Sequence, residues 1–259
     1  EEYAENELDK WLYLNYTVPY NIEVVYRWDA AQSYSSLSEV QLVPVEFDAV
    51  QPMMAALRDV WFKPYIQATG NSLDFLKEVA PKKIVLVGSP EYQNGSFKLG
   101  QAEGGRKILL LNVNNFDASN ENELKEALHT IVHEFTHILH QTKLFNQEYQ
   151  TISTGRYNSN WTLLNDSEAR HQGFITNYAM LNKDEDFAEM VSGILVFGYE
   201  WFKDTVLAEA AKSTENPHAK ADLEAKLAIV NSYFKETWNI EFFDNETSGE
   251  PGLESYFRM

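Results

Sequence analysis

His133-Glu134-Phe135-Thr136-His137, two histidines four residues apart with a glutamate after the first, constrains this chain more than any other stretch. Positions four apart on an α-helix lie one above the other, so both imidazoles can reach a single metal ion without bending the backbone. Zinc takes neutral imidazole nitrogens readily, and three protein ligands would leave a fourth position for water. Glu134 is placed to take a proton from that water as a general base. A polar helix face that carries two histidines by chance is the competing reading, and the rest of the chain has to decide.

The flanking residues support a helix. Asn120 with Glu123 three residues later suits an N-cap pair. Leu124, Leu128, Ile131, Val132, Phe135, Ile138 and Leu139 form one apolar stripe, while His129, His133, His137 and His140 project from the other side. Four of the six histidines therefore share one face of one helix, as expected of a helix that lines a cleft.

Composition narrows the partners and the metal chemistry. A chain of 259 residues with 44% hydrophobic and 23% charged residues can bury a sizeable core and reads as globular. Lys+Arg 21 against Asp+Glu 39 gives a charge of −18, which argues against nucleic acid or an anionic membrane surface as a partner. Without cysteine, any zinc must be held by histidine and carboxylate. The longest apolar run, near Val191 to Phe197, is short of transmembrane length and interrupted by Gly193. The opening Glu1-Glu2-Tyr3 does not read as a signal peptide, so an export signal is expected to have been removed already.

Along the chain, Leu8 to Leu14 is amphipathic and Tyr20 to Tyr26 alternates like a strand. Val50, Met54, Leu57, Val60 and Trp61 keep helical spacing from Phe47 to about Thr69, with Gly70 as a stop. Lys83 to Val87 reads as a buried strand, and Ser96–Leu99 with Lys107–Val113 reads as a hairpin around Gly104-Gly105. Ile108 to Val113 is expected to be an edge strand beside the cleft, where an extended peptide could pair by β-addition. Phe145 to Asn165 reads as loop, and a short helix is expected around Ser167 to Gln172. Asp184–Trp201 and Pro217–Trp238 read as helices, and the tail from Asp244 as loop. The order predicts an α+β chain: one domain over residues 1–259, with a β-rich N-terminal lobe (about 1–143), the central motif helix, and a helical C-terminal lobe (about 144–259).

Two histidines seldom hold zinc alone. A third histidine six residues on, with a glycine between, is absent, because those positions are Lys143 and His140. Glu185-Asp186-Phe187-Ala188-Glu189 offers carboxylates at i and i+4 on one helix face. One can bind the metal while the other accepts the spare N–H of a ligand histidine. An ordinary acidic helix start is the alternative.

With this acidic pair the sequence resembles the gluzincin metallopeptidases, whose pattern is HExxH followed by ExxxD or ExxxE. It is especially similar to the branch that includes anthrax lethal factor, where a tyrosine precedes the ligand glutamate by seven residues, as Tyr178 precedes Glu185. The resemblance implies that His133, His137 and Glu185 bind one Zn2+ per chain and that Glu189 orients a ligand histidine. It also implies that Glu134 is the general base and that Tyr178 stabilises the oxyanion or assists the leaving group. Glu189 departs from the commoner Asp by one methylene.

A wider likeness runs through Leu8-Asp9-Lys10-Trp11, Asn15-Tyr16-Thr17, Tyr20 to Val24, Tyr26 to Asp29, Gly173 to Ala179 and Glu185 to Ser192. These stretches resemble the zinc metallohydrolase lipoproteins associated with SusC/SusD-type, TonB-dependent import in Bacteroidetes. That likeness implies a lipid anchor on an upstream cysteine, an outer-membrane location, and a peptide or protein substrate handled for nutrient import. A non-catalytic peptide- or glycan-binding component, or a zinc hydrolase of a non-peptide amide, are the alternatives. His129 and His140 fit no completion of the metal site, and His171 and His218 have no supporting pattern. Tyr157 and Trp161 could line a substrate pocket or close a lobe interface.

Overall fold

A computed structural model describes residues 6–27, 42–93, 96–98, 100–103 and 106–258, and between 91 and 105 it describes the backbone alone. Glu1 to Tyr3, Trp28 and Asp29, Leu99, and the turn expected at Gly104-Gly105 lie outside the described residues. The chain divides into one unit of Glu1–Ile66 with Asn71–Ile138 and a second of Gln67–Gly70 with Leu139–Met259.

The first unit holds a small four-stranded sheet of β1 (Glu23–Val25), β2 (Lys83–Leu86), β5 (Gly100–Glu103) and β6 (Lys107–Leu110), in the order β1-β2-β6-β5. β1–β2 and β2–β6 pair in parallel, with Ile84 opposite Ile108, and β5–β6 is antiparallel. The strands β3 (Glu91–Gln93) and β4 (Ser96–Lys98) form a separate antiparallel pair. The expected hairpin is therefore real, but its first arm is Gly100–Glu103, because Ser96–Lys98 pairs backwards onto β3. Ile84 to Leu86 and Ile108 to Leu110 are buried along their whole length, the pattern of strands covered on both faces. β6 lies between β2 and β5, so the expectation of an edge strand at Ile108–Val113 is corrected. Among the described residues the outer strand on that side is β5.

This unit carries more helix than a β-rich lobe would. Residues 7–20 and 47–68 are helical, with wider π turns inside each, and Asp74–Val79 adds a further helix. The parallel step from β1 to β2 needs such a crossover, which is why helices fill the gap. The helix over 47–68 stops as its sequence predicts. Gly70 takes φ +70, its N–H donates to Gln67 O, and the Asn71 N–H donates to Ile66 O, a Schellman closure.

The motif helix runs Glu121–Thr142. Asn120 caps it by accepting from the Asn122 N–H, and Glu123 reaches back to the Asn120 amide and the Asp117 N–H. Phe135 is caged by Trp61, Tyr65 and Phe75 at centroid distances of 5.3, 5.2 and 6.3 Å, with interplanar angles of 76–86°. Edge-to-face pairs of this kind add about 0.5–1.5 kcal/mol each beyond burial, and they fix the rotation of the helix about its axis.

The second unit is helical. Its central helix, Lys183–Phe197, is buried from Asp186 to Val196, and Asn182 caps it by accepting from the Asp184 and Glu185 N–H groups. Gly198 at φ +88 ends it. Phe187 stacks on Phe145 at 4.2 Å and meets Tyr149 and Tyr233 edge-on. Two stretches expected as loop contain helix: Glu148–Ile152, and Leu253–Phe257 in the tail. In the tail, buried Glu254 accepts from Arg258 and from the Tyr199 N–H. No helix among the described residues is long and apolar enough to cross a membrane.

Candidate metal centre

His133 and His137 bring their Nε2 atoms to 3.1 Å, with ring centroids 4.8 Å apart and planes crossed at 78°. Two imidazole nitrogens on one tetrahedral zinc, each at 2.0–2.1 Å, would be about 3.3 Å apart, so the pair is already close to that spacing. Both rings are largely withdrawn from solvent. Residues 131–140 are buried on every side of the helix, with His133 only 5% exposed. The histidine face is thus not a solvated polar surface, and Glu134 shares its burial.

The second unit prepares a carboxylate. Glu185 sits in the first turn of the Lys183–Phe197 helix, beside Asp184 and Asp186, where the helix dipole favours negative charge. His133, His137 and Glu185 each offer one ligand atom, and these atoms all lie within 4.8 Å of one another. Two imidazoles and one carboxylate, with no thiolate, form a donor set that suits zinc with a position left open.

Glu189 lies one turn further along the helix, only 4% exposed, and accepts a 2.7 Å hydrogen bond from Thr176 Oγ1. The same hydroxyl accepts from the Ala179 N–H, in the short 3-10 turn Tyr178–Met180 that carries Tyr178. Thr176 therefore ties Glu189 to the Tyr178 turn. The Tyr178 ring packs edge-on against Trp161 at 4.9 Å.

Sequence reasoning passed over Thr176, and also a buried ion pair next to Glu185. Asp186 and Lys226 meet at 2.7 Å with both side chains at 0% exposure. Tyr157 donates to the same Asp186 oxygen at 3.1 Å, and Lys226 donates to Gly173 O at 2.8 Å while lying 4.1 Å from the Phe174 ring centroid. Burial pushes the Asp186 carboxyl up and the Lys226 ammonium down, each held against that cost by the other. Burial, reinforced by Asp186, pushes the Tyr157 phenol far up, so it remains a donor. The available signal for the pair was an acid inside the buried face of a helix, whereas Thr176, followed directly by Asn177, carried none.

The other histidines have structural places. His140 packs edge-on against Phe145 and Phe187. The ring of His129 lies 6.4 Å from that of His133, and His129 is not among the clustered ligands. His171 pairs with Glu209 at 3.1 Å, and His218 precedes the helix Ala219–Ser232.

A crystal structure of a protein from Bacteroides caccae, described as a putative zinc-binding metallo-peptidase, is similar to this chain. The identity is 30% over 99% of this chain and 94% of that one, with a TM-score of 0.76. No curated protein matches the chain. A family model described as "Putative zinc-binding metallo-peptidase" matches residues 1–243. The chain belongs to that family.

Proposed function

We propose that the chain is a zinc metallopeptidase in which His133, His137 and Glu185 hold the metal. The observation that carries this reading is the approach of the two Nε2 atoms to 3.1 Å, with a carboxylate oxygen of Glu185 in the same cluster. Zinc held there supplies a Lewis acid for a peptide carbonyl and lowers the pKa of water. Glu134 takes the proton from the attacking water and returns it to the departing amine. Tyr178, a neutral donor at pH 7, hydrogen-bonds the carbonyl oxygen as negative charge develops on it. Glu189, held by Thr176, accepts an N–H from a ligand histidine and so sets its tautomer. Pairing of an extended substrate by β-addition falls to β5, since β6 is enclosed. The likeness to import-associated lipoproteins supports a location at the outer membrane, beside a SusC/SusD-type importer, with peptides cut for uptake.

Metal analysis of protein purified without added zinc tests the reading, beside Glu185→Ala and Glu134→Gln and followed by a peptide-library digest. The expected result is near-stoichiometric zinc in the wild type and weakened binding in Glu185→Ala. Glu134→Gln should retain zinc and lose about 10²–10⁴-fold in cleavage rate. A wild type that binds no zinc after reconstitution would turn the reading toward a non-catalytic binding protein. Zinc with cleavage unaffected by Glu134→Gln would remove Glu134 from its role.

A further inference from the structure

A cavity of about 220 Å³ opens in the first unit beside the N-terminal half of the motif helix. Met53, Leu110, Leu111 and Phe116 line it together with Glu126 and Thr130 from the helix. Its volume is below the ~300–1,000 Å³ of a site for a whole small molecule, and it suits a single long side chain. Glu123 also borders it, but its carboxylate is committed to the Asn120 amide and the Asp117 N–H at 2.7 and 2.8 Å. The Glu126 carboxylate has no hydrogen bond or ion pair among the described residues, and only its backbone carbonyl is used, by Thr130 Oγ1. Asn112 and Asn115 border it as well, so the cavity combines an apolar wall of Met53, Leu110, Leu111 and Phe116 with a polar side and one uncommitted negative charge.

Its place on the helix connects it to the histidines. Glu126, Thr130, His133 and His137 follow at spacings of four, three and four, which puts them in one stripe along a single face. At 1.5 Å per residue, Thr130 lies about 4.5 Å and Glu126 about 10.5 Å before His133 along the axis. An extended peptide advances ~3.3 Å per residue, so a residue next to the cleaved bond can lay a long side chain along this stripe. Lysine and arginine match the cavity, since their aliphatic stems lie on apolar surface while the charged end stays toward water. The charge of −18 also favours approach of cationic peptides.

We propose that this cavity receives a lysine or arginine side chain of the substrate, from a residue flanking the cleaved bond, with Glu126 pairing with its cation. The proposal rests on the peptidase reading and names its substrate class. Two measurements on the zinc-loaded chain, one of them independent of turnover, test it. In the first, matched peptides carrying Arg, Lys, Leu or Glu beside the scissile bond are compared in wild type, Glu126→Gln and Glu126→Lys. The ratio of kcat/KM for Arg over Leu should fall about two- to fivefold in Glu126→Gln, the scale of a partly exposed ion pair, and further in Glu126→Lys. In the second, acetyl-arginine amide is titrated against the methyl signals of Met53 and Thr130. Those signals should shift in the wild type and respond less in Glu126→Gln.

Cleavage with a preference for Leu or Phe that ignores Glu126 would overturn the proposal and leave the peptidase reading intact. Titration shifts that depend on Glu126, with no cleavage of any peptide, would overturn the peptidase reading and keep a site for basic side chains. Neither cleavage nor shifts would overturn both.

Discussion

Lys226 places its ammonium 2.7 Å from the Asp186 carboxylate, with both side chains fully excluded from solvent. The pair joins the helix Lys183–Phe197 to the helix Ala219–Ser232, and Asp186 directly follows Glu185 in the chain. Removing one partner leaves a buried charge with nothing to balance it. Lys226→Met or Asp186→Leu alone should each cost about 3–5 kcal/mol, read as a lower urea midpoint at unchanged m. The double replacement should cost clearly less than the sum, because no unpaired charge remains. Strictly additive losses would mean that the pair does not act as a unit.

Thr176 holds one oxygen of the Glu189 carboxylate. Its hydroxyl donates to Glu189 Oε2 at 2.7 Å and accepts from the Ala179 N–H at 3.2 Å. Thr176→Val keeps the shape and deletes both bonds, so zinc affinity should drop by about 10–100-fold in competition with a chromophoric chelator. Thr176→Ser restores the hydroxyl and should restore affinity. If valine and serine variants hold zinc equally, Glu189 is oriented by other contacts.

How much of this could be read from the sequence depended on whether the information was local. The HExxH helix was legible because a spacing of four and an apolar stripe act within one helix, and the 3.1 Å approach of His133 and His137 follows from them. Gly70 was legible as a stop for the same reason. The parallel pairing of β1, β2 and β6 was not, since which strand lies beside β6 is set by crossovers and burial rather than by the strand's own residues. The tail helix Leu253–Phe257 hid in a polar segment because its buried Glu254 makes sense only once Tyr199 and Arg258 supply donors. Asp186 hid differently. A charge on a buried helix face breaks the polarity pattern, and its partner lies forty residues away in sequence.

Glu209 offers a stability prediction with a defined direction in pH. Its carboxylate accepts from Lys212 Nζ at 2.8 Å, from Ser167 Oγ at 2.9 Å and from His171 Nε2 at 3.1 Å. The Lys212 hydrogen bond, followed by that from Ser167, holds its pKa down to about 2, against 4.5 for a free glutamate. Between those values the unfolded chain binds a proton that the folded chain does not, so acid shifts the balance toward unfolding. The stabilisation is therefore fully present above the unfolded value and is lost as pH falls through the window toward about 2. Glu209→Gln should be less stable than wild type near pH 6, with the gap in urea midpoint narrowing as pH approaches about 3. A gap that stays constant across that range would show that Glu209 keeps an ordinary pKa and that these three contacts do not favour its charge.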